Sequence, residues 1–219
     1  MTWASHVPVY QPTGSQFVNN LRGGCTLLAL AACDIVSKGM GAWVGDPHVV
    51  NPNPASVANL QAVMWRIYQD ALASGNCAEN GAANQAQMIR QANRIGLPIH
   101  DILYYREPLP YALWLDFLHQ HIGAATPPRP ILVQLANGRA LYDATSGKQD
   151  EADLAYHAIA LYGTETEPQS PASGGYVGCD GDNPISNEHP VIYSRPTLIA
   201  AQPISMIAFD YVHTMCGGK

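Results

Sequence analysis

The chain has 219 residues, 47% hydrophobic and 13% charged, a balance that buries a core and excludes intrinsic disorder. Its formal charge of −6, with no cluster of Lys or Arg, excludes nucleic acid as the main partner. Cys25, Cys33, Cys77, Cys179 and Cys216 are scattered and lack C-x-x-C spacing, so neither a zinc finger nor a disulfide scaffold is expected, although one oxidised pair stays open. This length fits one large domain or two intimate lobes.

In chain order, residues 1–18 carry Pro8, Pro12 and Gly14 and read as an extended arm over the surface. No basic segment followed by an apolar one opens the chain, so the reading is no secretory signal and synthesis in the cytoplasm, with release by lysis as one route. Residues 25–38 are apolar nearly all round, broken only by Thr26, Asp34, Ser37 and Lys38. That pattern predicts a helix wrapped on every side and too short to span a bilayer, so no membrane insertion is expected. Gly23-Gly24 permits a tight entry into it, and Lys38-Gly39 marks its end. Residues 39–55 form an irregular connection.

Asn53-Pro54 resembles a helix start, and the three- and four-residue spacing from Val57 to Ala71 predicts a helix over 54–73. A second helix is predicted over about 82–95, stopped by Gly96 and Pro98, and a strand over 99–105. A third, surface helix is predicted over 109–122, with Leu113, Trp114, Phe117, Leu118 and His121 on one side. Residues 130–135, 156–162, 176–179, 191–193 and 205–212 read as strands. Helices in the first half and strands in the second predict an α+β fold, with a mainly helical lobe over about 1–125 and a sheet lobe over about 126–219.

A cysteine at the amino end of a buried helix faces unpaired N–H groups, which favour the thiolate. A nucleophile there needs a base and a third group to orient it. Of the eight histidines, His157 heads a strong strand, and Asp180 ends another about one hairpin later. Antiparallel pairing of those strands predicts a base and orienter on the sheet. Asp182 shares the parity of Asp180.

The helix-opening cysteine after Gly-Gly, the strand Pro130-Ile131-Leu132-Val133-Gln134-Leu135, the run His157 to Gly163 and the run Gly175 to Pro184 together resemble the papain-like cysteine peptidases. The likeness is strongest to the bacterial branch that includes bacteriocin-leader-processing enzymes, and it covers residues 19–38 and about 130–184. It implies a helical lobe against a sheet lobe with a cleft between them, Cys25 as nucleophile, His157 as base and Asp180 as orienter. The position of the family's oxyanion glutamine is Asn19 here, with Gln16 three residues earlier; either amide could donate beside the Cys25 N–H. Thr26 stands where that branch commonly has glycine.

The reaction implied is hydrolysis of a peptide or protein substrate, with no cofactor and no metal. Leader processing is not expected, because no transporter segment accompanies the domain. A phage or bacterial enzyme acting on peptidoglycan peptides is the context suggested, although the wall-peptidase motif Asp-Cys-Ser-Gly is absent. An acyl or amide transferase would use the same triad. A non-catalytic peptide-binding or virion module would keep the fold without the thiolate. The turn from Asp180 to Asn183 lacks the spacing of a calcium loop, and His119 and His121 fall on different helix faces, against zinc.

Overall fold

A computed structural model describes residues 7–10, 17–21, 24–38, 57–104, 107–125, 127–141, 156–164, 175–179 and 191–212. Strands β1 (Val7–Tyr10) and β2 (Phe17–Leu21) form a two-stranded antiparallel sheet. Helix α1 (Cys25–Lys38) follows, then α2 (Val57–Ala73), α3 (Gln85–Arg94) and β3 (Ile99–Tyr104). Helix α4 (Tyr111–Leu118) runs into a single π-helical turn, His119–Gly123. Strands β4 (Ile131–Leu135), β5 (His157–Thr164), β6 (Gly175–Cys179) and β7 (Val191–Ser194) come next, then α5 (Arg195–Ala201) and β8 (Pro203–Phe209). The fold combines helices with one antiparallel sheet of six strands, in the order β3-β8-β4-β5-β6-β7.

Strand parity divides the core in two. Leu132, Ala158, Ala160, Ile207 and Phe209 face α1, α2 and α3; Ile131, Val133, Leu135, Ile159, Leu161, Met206 and Ala208 face α4, the π-turn and α5. Helices therefore cover both faces of the sheet, and β4, β5 and β8 read as apolar runs because neither face is left to water. The edge strand β3 comes from the first half of the chain and α5 from the second.

Helix α1 is the pivot of the first layer. Every residue but Val36 and Lys38 is buried, and the helix lies against β5, β4 and α2. Small residues are frequent on both sides of this layer, with Ala29, Ala31 and Ala32 in the helix and Ala158 and Ala160 in β5. Asp34 is buried in it because Lys38, one turn on, meets its carboxylate at 2.6 Å and also donates to the Ile95 carbonyl at 3.0 Å.

Helix α3 starts at a capping box: the Asn84 side chain accepts from Gln87 N–H at 3.0 Å, and the Gln87 amide accepts from Asn84 N–H at 2.9 Å. The polar side chains of this helix are partly buried. Gln91 is fully enclosed because it donates to Asp70 at 2.9 Å and accepts from Asn76 at 3.0 Å. Gln85 donates to the buried Ser205 hydroxyl at 2.7 Å, joining α3 to β8.

Three sequence expectations change here. The helix foreseen over 109–122 is α4 plus the π-turn, and Leu113 points outward at 45% exposure. The sheet takes Trp114, Phe117 and Leu118, and the wider turn then carries His121 and Ile122 inward. The last strand is Pro203–Phe209 rather than 205–212, since Val212 N–H leaves the sheet to donate to the Ser37 carbonyl. The Asn53-Pro54 helix start lies outside the described residues, as does most of the amino-terminal arm.

Candidate functional site

Cys25 is the first residue of α1, and the helical ladder opens with Leu28 N–H donating to Gly24 at 2.9 Å. The first N–H groups of the helix have no partner within it, so they present positive potential beside the thiol. The cysteine is buried to 8% exposure, and the Thr26 hydroxyl stands 4.0 Å from its sulfur.

His157 is the first residue of β5, opposite Leu135 at the end of β4, and is 2% exposed. Tyr156, just before it, is 72% exposed, so the chain passes from solvent to core within one residue.

Both residues lie toward the same end of the sheet. The carboxyl end of α1 is tied to the far end of β8, where the Ser37 hydroxyl donates to the Asp210 carbonyl and Val212 N–H donates to Ser37. Strand β8 begins at the near end, where Pro203 opposes Leu135, which in turn opposes His157. The fourteen residues of α1 span roughly 20 Å, and the seven of β8 roughly 23 Å. A helix fixed at Asp210 and packed along β5 therefore delivers Cys25 to the Leu135–His157 end. Parity adds a distinction: Ala158 and Ala160 meet α1, whereas His157 alternates with Ile159 and Leu161 of the other core.

Asn19 lies in β2 opposite Val9. Asp180, Asp182 and Gln16 lie outside the described residues. The last described rung between β5 and β6 pairs Ala160 with Cys179. Cys25, Cys33 and Cys77 are thiols rather than halves of disulfides, and burial pushes the Cys77 thiol up from its ordinary value. Among the described residues no group of three or more His, Cys, Asp or Glu side chains is placed to hold a metal ion. His119 is exposed and His121 buried, in keeping with their different faces.

A second concentration of ionisable groups was not foreseen: His100, Asp101, His121, Arg129 and Asp210 meet at the other end of the sheet. Its pairs join residues 20, 81 and 110 positions apart, so no local motif announces it.

No helix among the described residues is long and apolar enough to cross a membrane. No protein-family model and no curated protein matches the chain.

Proposed function

We propose that the protein is a cysteine peptidase of papain-like arrangement, with Cys25 as nucleophile and His157 as its base. What carries the proposal is that Cys25 opens α1, which packs against β5, and that His157 opens β5. Helix N–H groups and an imidazole there would both favour the thiolate. The sulfur attacks a peptide carbonyl, and the Cys25 N–H with the amide of Asn19 or Gln16 holds the oxyanion. His157 then gives its proton to the leaving amine, and water cleaves the thioester. Asp180 or Asp182 orients the ring.

One observation favours a second reading. The parity of β5 and the 2% exposure of His157 also suit a histidine packed as part of the core, in a domain that binds peptides without cutting them. Digestion of a peptide library that includes cell-wall cross-link peptides separates the two, with mass spectrometry reading the termini. Catalysis predicts new termini with wild type, none with Cys25→Ala or His157→Ala, and a partial loss with whichever of Asp180→Asn and Asp182→Asn removes the orienter. Identical spectra for wild type and Cys25→Ala contradict it.

A further inference from the structure

The end of the sheet away from Cys25 is held by side chains from five segments. The Asp210 carboxylate, just after β8, takes His100 Nδ1 of β3 at 3.0 Å and Arg129 Nε, ahead of β4, at 3.0 Å. Its backbone N–H donates to the Pro98 carbonyl at 3.0 Å, and its carbonyl accepts the Ser37 hydroxyl of α1. Beside it, His121 of the π-turn sets Nε2 3.3 Å from Asp101 Oδ2 of β3. The His121 ring packs edge-on against Phe117 at 4.4 Å and against His100 at 5.3 Å between centroids. The turn is fixed by its backbone, with Arg129 N–H donating to the His121 carbonyl at 2.8 Å and Ala124 N–H to that of His119 at 2.7 Å.

His121 is 5% exposed, and its Nδ1 is buried with no hydrogen-bond partner. With Nε2–H donating to Asp101, a neutral ring leaves only a lone pair facing the interior. An imidazolium would instead bury an N–H with no acceptor, at the full cost of desolvation. We propose that this cluster is an acid-operated latch: a proton taken up at His121 Nδ1 drives the ring from its seat and releases the π-turn from β3.

The surrounding charges set its sense. Burial holds His121 below the ordinary histidine value; Asp101 opposes this, while His100 and Arg129 add to it. Strand β5 presents the apolar Ile159 and Leu161 beneath the turn, and Asp116 of α4 is engaged by Gln120 at 3.0 Å. Exposed His119 is on the turn itself. Burial works to raise Asp210, but Arg129 and His100 hold it below the usual carboxylate value, so it stays ionised throughout the histidine range. The latch therefore opens on its His121 side while the Asp210 clasp on α1 stays shut. Because the folded-state value lies below the unfolded one, the stability of the turn is complete above about pH 6.5. It falls as pH drops from there and levels off once His121 is charged in the folded protein.

Hydrogen exchange read by mass spectrometry at pH 7.5 and 5.0, corrected for intrinsic rates, tests this on the full chain. For wild type, opening of residues 119–125 and 99–104 should rise by about tenfold per pH unit below 6.5 until His121 titrates, relative to α2. His121→Phe keeps a ring in the Phe117 seat with nothing to protonate, and its exchange should not respond to pH. An NMR titration of the His121 ring in wild type decides independently of how that variant folds; its midpoint should lie below 6.5, where the loss of protection levels off. Equal wild-type protection at both pH values, a midpoint at or above 6.5, or a pH response retained in His121→Phe would each overturn the latch.

Discussion

At Gly178 the side chain is a hydrogen because β5 leaves no space for more. A Cβ there would run into the Ala160 carbonyl oxygen and would stand 2.8 Å from Leu161 Cδ2. The first obstacle is backbone and cannot swing aside, so Gly178→Ala should destabilise the fold by at least the ~1–3 kcal/mol typical of overpacking, read from the urea midpoint. A midpoint within error of wild type would show that β6 shifts freely. Residue-scale chemistry was unevenly legible in the sequence. The positions of Cys25 and His157 were legible, each opening an element as the sequence pattern indicates. The buried roles of Asp34 and Gln91 were not legible, since each is enclosed only because of partners: Lys38 for one, Asp70 and Asn76 for the other. The His121 cluster was hidden for the same reason, its partners being remote along the chain.

Among the elements, α1 could be bounded from sequence alone, since a thirteen-residue, largely apolar run between Gly-Gly and Lys-Gly admits one reading. The start of α3 is set by local chemistry as well, through the reciprocal Asn84–Gln87 bonds. Asn84→Ala removes one of them and should cost about 1 kcal/mol, with the loss of protection concentrated in the first turn of α3 in hydrogen exchange. The π-turn after α4 was not legible. Periodicity continues the helix through residue 122, and the tertiary demand to bury His121 and Ile122 beside β5 overrides it. The edge strand β3 was foreseen as a strand, but nothing local says that it pairs with β8, more than a hundred residues later. There the Asp101 carboxylate accepts from the Ile102 N–H at 2.8 Å, a bond internal to the strand.

At the scale of the molecule, α1 packs against both α2 and the sheet, so the helix that carries Cys25 belongs to a buried layer of the described residues. Leu30 is fully buried in that layer. Leu30→Ala should cost about 2–5 kcal/mol in one cooperative transition, with far-UV circular dichroism and tryptophan fluorescence reporting the same midpoint. A separate early transition in one signal would mean that α1 and the sheet unfold independently. The segregation of helices and strands in the sequence predicted the α+β class but not the covering of both sheet faces, because the apolar runs of β4, β5 and β8 do not say which helix lies on which side.

The central claim is that Cys25 is a nucleophile activated by His157, and site-resolved alkylation tests it most directly. Iodoacetamide labelling across pH 5–9, with each cysteine read by peptide mass spectrometry, should show Cys25 reacting near pH 6, well below the ordinary thiol range of about 8.5. Cys33 and Cys77 should stay slow, and His157→Ala should move the Cys25 profile up toward that range. Cys25 labelling no faster than Cys77 at every pH, or a profile unchanged in His157→Ala, would contradict the account.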